Sequence, residues 1–174
     1  MASNKQVWIG NVDGGGPLIM RGLFDAGSTT AIKRGEILEK TGTGNTVWVP
    51  MDSDYDMTAT SDAVAVADEE IKTGDRAGYY NIIVPRPGDV FEFELAAAGA
   101  TAVGTSLYYS ASQKVTVTTG TYILGYAVGQ ENYPQKQGHL ADDGSPDAGT
   151  TVKSQTYVRM TFRLAVSYYA AMFI

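Results

Sequence analysis

The sequence contains no cysteine among its 174 residues. Disulfide bonds, cysteine–zinc sites and a thiol nucleophile are therefore excluded. The missing cysteine does not fix the compartment, and a cytosolic site of assembly is compatible with it. Aromatic and β-branched residues are plentiful, so we do not expect a chain that is disordered throughout.

Basic residues are scarce. The chain has 13 Lys and Arg against 19 Asp and Glu, which gives a formal net charge of -6. Proteins that hold nucleic-acid phosphates over a wide face need clustered Lys and Arg. We therefore expect no nucleic-acid partner.

Long apolar runs are also missing. The longest, AVSYYAAMFI at 165–174, is too short to span a bilayer, which takes about 20 residues as a helix. The first residues, MASNKQVWIG, do not look like a signal peptide. We expect no membrane partner.

Motifs for catalysis and nucleotide binding are absent. The only histidine, His139, lies in the loop-like stretch QGHLADDGSPD. It would need Asp142 or Asp143 and a serine to form a triad, and no G-x-S-x-G elbow supports that hydrolase alternative. The glycines at 14–16 and the pair Gly42 and Gly44 lack the motifs that surround a bound nucleotide. We expect no enzymatic activity and no cofactor.

Acidic residues are concentrated between positions 51 and 75, which hold eight of the nineteen. Three of them imitate the first ligands of a calcium loop: Asp52, Asp54 and Asp56. The match then fails, because Met57 stands where glycine is needed and Ala63 where a bidentate Glu is needed. A calcium site outside the EF-hand class and a solvated acidic loop are both compatible with this pattern.

The middle of the chain has the pattern of short β-strands separated by turns. AVAVAD at 63–68 either alternates or is buried on both faces, and Pro50 marks the end or the edge of a strand over 45–51. Phe91, Phe93 and Leu95 alternate with acids, as in a strand with one face in the core. The stretch 104–129 predicts three short strands, and TYVRMTFRL at 156–164 predicts an amphipathic last strand. This spacing predicts one all-β domain over 32–164, a sandwich or a small barrel, with a long loop at 129–151.

Three turns share the pattern base-x-Gly-acid: KRGE at 33–36, KTGD at 72–75 and RPGD at 86–89. A turn that requires a flexible position explains the shared glycine. Because the spacing between the three is irregular, we do not infer a solenoid repeat.

Both ends of the chain carry apolar residues that suit a protein interface. We interpret 1–31 as an extended, glycine-rich arm, with a first strand and hairpin of the core as the alternative. We interpret 165–174 as an apolar C-terminal extension, with a last core strand as the alternative. The candidate partner-binding residues are Val7, Trp8, Ile9, Leu18, Ile19, Met20, Tyr168, Tyr169, Met172 and Phe173.

The pattern from 33 to 164 resembles the head decoration, or capsid cement, proteins of tailed phages. The resemblance lies in a Gly-x-x-Leu-Tyr-Tyr strand, a Lys-Val-Thr strand, a strand ending in Gly-x-Ala and a last strand near the C-terminus. Here these are 104–109, 114–116, 123–128 and 158–164.

The resemblance implies a compact β-barrel or β-tulip domain and trimers that bind the major capsid protein on the outside of the head. It also implies N-terminal arms that pair with capsid strands, and a protein made in the host cytoplasm. The loop 129–151 and the C-terminal extension depart from the short members of the family, so another symmetry is an alternative to the trimer.

Two further functions are compatible with an all-β chain that lacks an active site. One is another structural part of the virion: a tail-tube, head-completion or spike-base protein. The other is a carbohydrate-binding module, because several aromatic side chains could stack on sugars. These are Tyr79, Tyr80, Tyr108, Tyr109, Tyr122 and Tyr126.

Overall fold

A computed structural model describes residues 8–25, 31–40, 47–52, 63–97, 101–120, 123–128 and 157–163. Over these ranges the chain forms eleven β-strands and no helix, so the all-β prediction is confirmed. The same ranges contain no helix long and apolar enough to cross a membrane.

The strands form two antiparallel sheets. In chain order they are β1 (Trp8–Asn11), β2 (Leu18–Phe24), β3 (Ile37–Lys40), β4 (Val49–Pro50), β5 (Ala63–Ala67), β6 (Gly78–Val84), β7 (Asp89–Glu94), β8 (Ser106–Ser110), β9 (Lys114–Thr116), β10 (Ile123–Ala127) and β11 (Tyr157–Phe162). The six-stranded sheet has the order β1-β7-β11-β10-β8-β9, and the five-stranded sheet has the order β2-β6-β5-β3-β4.

The alternation of apolar and polar residues fixes the inner face of the six-stranded sheet. Phe91 and Phe93 of β7 are buried, and Met160 of β11 lies opposite Phe91 in the register. The ring of Phe162 meets Phe91 and Phe93 edge to face, with centroids 5.1 and 5.8 Å apart. The two strands that alternate most clearly in sequence therefore pair with each other and form the centre of this half of the core.

Strand β5 is buried on both faces, since all five residues of AVAVA are inaccessible. It lies between β6 and β3 in the five-stranded sheet. Of the two interpretations of 63–68, burial on both faces is therefore the one that the structure shows. Its side chains belong to a single hydrophobic core to which both sheets contribute.

The three base-x-Gly-acid turns adopt the same hydrogen-bonded conformation. The glycines at 35, 74 and 88 have φ of 91°, 88° and 84°, a region that residues with a Cβ rarely occupy. In each turn the N–H of the acid donates to the carbonyl oxygen of the base, over 3.1, 2.9 and 3.0 Å. The prediction that the turn itself requires the glycine is confirmed.

Each sheet curls so that strands distant in its order approach one another. In the six-stranded sheet, Leu95 forms a parallel bridge with Val115 of β9, and the N–H of Ala96 donates to the Val115 carbonyl over 2.8 Å. In the five-stranded sheet, the N–H of Trp48 donates to the Leu23 carbonyl over 2.8 Å. Neither sheet is closed, so the architecture shown is two antiparallel sheets.

Candidate functional site

The described part of the stretch predicted as an arm, 8–25, contributes one strand to each sheet. Trp8 and Ile9 belong to β1 of the six-stranded sheet, and Leu18, Ile19 and Met20 belong to β2 of the five-stranded sheet. The connection between β1 and β2 therefore passes from one sheet to the other and is not a hairpin. Five of the candidate partner-binding residues lie outside the described ranges: Val7, Tyr168, Tyr169, Met172 and Phe173.

The described candidates differ in how far they reach the solvent. Trp8, Leu18 and Met20 are partly buried and pack against the hydrophobic core. Ile19 points outwards and is 48% exposed. The indole of Trp8 therefore serves the packing of β1 on its own sheet, while Ile19 is available at the surface.

A buried carboxylate, Asp89, holds β1 in place. Its side chain is 0% exposed. Oδ1 accepts hydrogen bonds from Nδ2 of Asn11 over 2.8 Å and from Nε1 of Trp8 over 3.3 Å. The backbone N–H and the guanidinium of Arg86 complete the cage, at 2.9 to 3.3 Å. The carboxylate thus receives donors from β1 and from the turn before β7.

The hydrogen bonds at Asp89 outweigh the cost of its burial. Burial would raise the pKa of this carboxyl, but the donors from Arg86, Asn11 and Trp8 hold the pKa below its ordinary value. Arg86 also donates to the carbonyl oxygen of Gly16, in the β1–β2 connection. One ion pair therefore fastens both β1 and the segment that follows it.

A second polar junction joins the two sheets at the β8–β9 turn. The Tyr109 hydroxyl and Nε2 of Gln113 both donate to the Met51 carbonyl oxygen, over 2.7 and 3.1 Å. The N–H of Ile37 donates to Oε1 of Gln113 over 2.6 Å. Gln113 and its neighbour Ser112 have φ of 62° and 66°, which turns the glutamine side chain towards the five-stranded sheet.

Acidic side chains surround this second junction. Burial raises the pKa of Tyr109, and the charges of Glu36, Asp52 and Glu39 raise it further. Burial also raises the pKa of Glu36, against opposing effects from Lys33. The role of this junction is structural, because the side chains of Tyr109 and Gln113 hydrogen-bond to the backbone at Ile37 and Met51.

Two of the three residues of the candidate calcium loop lie outside the described residues. Asp52 is exposed, whereas Asp54 and Asp56 lie outside the described ranges. Among the described residues no group of three or more acidic or histidine side chains is placed to hold a metal ion. His139 also lies outside these ranges.

The four outermost strands differ in how their free edges are protected. Strand β9 carries Lys114, β4 carries Pro50, and β2 carries Arg21 and receives the Trp48 hydrogen bond. Charged residues and proline on an edge strand discourage pairing with another chain. Strand β1, with the sequence WIGN, has neither, and no described strand pairs with its outer edge. It is the open edge of the described structure.

Asp89 is not among the site residues predicted from the sequence, although the pattern carries a signal for it. Asp89 precedes Phe91, Phe93 and Leu95 at two-residue spacing, so the alternation that places those side chains in the core places this carboxylate there too. An acid in phase with a core face requires hydrogen-bond donors. Arg86, three residues earlier, is a local donor. The donors Trp8 and Asn11 come from β1, far away in the sequence, and could not be read from the local pattern.

Comparison with known proteins gives no further assignment. No protein-family model matches the chain, and no curated protein matches it.

Proposed function

We propose that this protein is a structural virion protein that binds the outside of a phage capsid and stabilises it. The single observation that carries the proposal is the open edge of β1, a strand without charge or proline on a domain whose other outermost strands are protected. The major capsid protein is the proposed partner, and strand addition at β1 is the proposed contact. The resemblance in sequence pattern to capsid cement proteins supports the same partner.

Strand addition suits a protein of this composition. Main-chain hydrogen bonds supply affinity with little demand on the sequence of either strand. Many weak contacts, repeated over a shell, add up through multivalency. The net charge of -6 keeps the protein soluble before assembly and does not attract packaged DNA.

The finer architecture that we propose is a small barrel-like body that assembles as a trimer on the head. Support for the barrel-like body comes from two hydrogen bonds that bring distant strands of a sheet together, Trp48 to Leu23 and Ala96 to Val115. Gly22 supports it as well, because a Cβ there would lie 2.7 Å from Cδ1 of Trp48. The glycine lets the chain before β4 lie against β2. The trimer is what the resemblance to capsid cement proteins implies.

The test is to mix the protein with purified expanded heads. We expect saturable binding and an increase in the resistance of the heads to heat and to chelator. Ile9→Lys, which places a charge on the open edge, is expected to weaken binding by tenfold or more, since an edge lysine opposes strand pairing. The matched control is Val117→Lys, at an exposed position beyond the end of β9, which should bind as the wild type does.

Other outcomes would point to the other functions. Absence of saturable binding to heads would exclude a cement protein. Rings of six or twelve subunits in native mass spectrometry would indicate a tail or connector part of the virion. Binding on a glycan array, with quenching of Trp8 or Trp48 fluorescence, would indicate a carbohydrate-binding module.

A further inference from the structure

Two of the three equivalent turns use the side chain of their acid in the same way. In the 72–75 turn, Oδ2 of Asp75 accepts the backbone N–H of Lys72 over 2.7 Å. In the 86–89 turn, Oδ2 of Asp89 accepts the backbone N–H of Arg86 over 2.9 Å. One carboxylate oxygen is therefore sufficient for the turn itself.

The second oxygen distinguishes Asp89 from Asp75. Asp75 is exposed, whereas Asp89 is buried. The second oxygen of Asp89 faces β1 and accepts the side-chain donors of Trp8 and Asn11. One oxygen of Asp89 therefore closes the turn, and the other binds the distant strand β1.

The remaining described attachments of β1 are its ladder with β7, the packing of Trp8 against the core and two hydrogen bonds to the 86–89 turn. Nδ2 of Asn11 donates to the Pro87 carbonyl oxygen over 3.3 Å, and the N–H of Val12 donates to the Gly88 carbonyl oxygen over 3.1 Å. Strand β1 is four residues long, and among the described strands it pairs only with β7; its register is interrupted between Trp8 and Gly10. After it come three successive glycines at 14–16, which place little restriction on the direction of the chain. An edge strand of this length with an irregular ladder gains little stability from its backbone bonds alone.

We propose that Asp89 is a latch for β1, so that loss of its negative charge releases β1 from the sheet while the remaining strands stay folded. The released segment is an uncharged strand on a glycine-rich tether. This conformational device concerns the isolated chain and does not depend on the capsid proposal.

The charges around the latch determine how it responds to pH. Of the described groups that hydrogen-bond to Asp89, the guanidinium of Arg86 is the charged one. Asn11 and Trp8 from β1 are neutral, and Asp13, whose N–H donates to Oδ1 of Asn11 over 2.8 Å, is exposed. The ionised form of Asp89 is the one that binds β1. The strand is therefore held at pH values above the ordinary pKa of a carboxyl group. It is released as the pH falls through the lowered pKa of Asp89 in the folded state.

The experiment compares Asp89→Asn with Asp75→Asn by amide hydrogen exchange in the full chain, corrected for intrinsic rates. An asparagine at 89 has only one acceptor oxygen in place of two. In either orientation of the amide, its NH₂ group faces hydrogen-bond donors, either those of β1 or the N–H of Arg86. At neutral pH we expect protection of the amides at 8–11 to fall by about tenfold or more, as for a buried group left without its partner. The amides of β11 should keep their protection, and Asp75→Asn should change neither segment.

Two results would overturn the latch. One is protection at 8–11 that stays at the wild-type level in Asp89→Asn, and the other is an equal loss in β1 and β11. If Asp89→Asn does not fold, the double variant Trp8→Phe/Asn11→Ala decides, because it removes the two β1 donors and leaves the Arg86–Asp89 pair. Selective loss at 8–11 in that variant supports the latch, and unchanged protection contradicts it.

Discussion

The hydroxyl of Tyr109 on β8 donates a hydrogen bond to the backbone carbonyl oxygen of Met51, 2.7 Å away, and so joins one sheet to the other. The same carbonyl oxygen accepts Nε2 of Gln113 over 3.1 Å. The two sheets are therefore connected by directed polar contacts as well as by their shared hydrophobic core. These contacts set the position of the β8–β9 turn against β3 and the segment that follows β4.

Removing the Tyr109 hydroxyl should weaken this junction without breaking it. We expect Tyr109→Phe to lower the free energy of unfolding by about 1 kcal/mol, because Gln113 still satisfies the Met51 carbonyl. Urea denaturation measures the change. Tyr79→Phe, at a side chain that is 59% exposed, is the control and should stay within about 0.5 kcal/mol of the wild type. Equal stability of the two variants would contradict a role for the hydroxyl.

Gly125 provides the space in which β10 and β11 pack. A Cβ at this position would collide with the backbone oxygen of Thr161 and with Cε of Met160. Because backbone cannot move aside as a flexible side chain can, we expect Gly125→Ala to cost about 3 kcal/mol or more. Thermal and urea unfolding measure it. Gly10→Ala is the control within a strand, since nothing lies within 4 Å of a Cβ there; a similar cost in both variants would mean that strand propensity, not the collision, is responsible.

The sequence predicts the strands of this fold better than their partners. Alternation located β7 and β11, and the composition of 104–129 located β8, β9 and β10, because these signals are local. The pairing of Trp8 with Phe91 joins residues far apart in the chain, and no local period specifies it. The division of β1 and β2 between two sheets could not be predicted for the same reason.

The partners of the two polar junctions, at Asp89 and at Gln113, could not be predicted from local sequence patterns either. Asp89 was in phase with a core face, so its burial followed from the pattern, but its donors Trp8 and Asn11 come from another strand. Gln113 gave no signal at all, because its role depends on a positive φ and on a carbonyl in the opposite sheet. The sequence thus indicates the inward placement of Asp89 but not that of Gln113, and the tertiary pairing determines the partners of both.

The raised pKa of Glu36 gives a pH dependence of defined sign. A carboxyl whose pKa is raised in the folded state, here by burial, costs stability as pH rises through that pKa, because the unfolded chain ionises more readily. We expect Glu36→Gln to be more stable than the wild type at pH 7 and equal to it at pH 3, as measured by urea midpoints. Glu70→Gln, at an exposed position, controls for the change in net charge. A stability gain that is the same at both pH values would contradict this account.

Gly88 is required for two reasons, its positive φ and its close contact with Val12. The variants Gly88→Ala and Gly104→Ala separate the two. Its φ of +84° disfavours any side chain, and a Cβ would lie 2.7 Å from Cγ2 of Val12. Gly104 has nearly the same φ, +83°, but nothing within 4 Å. We expect Gly104→Ala to cost about 1–2 kcal/mol from the backbone conformation alone. Gly88→Ala should cost the same amount in global unfolding and, in addition, reduce the exchange protection of β1, because the new methyl group displaces the chain at Val12. Unchanged protection of β1 in Gly88→Ala would show that the segment after Asn11 adjusts without disturbing the strand.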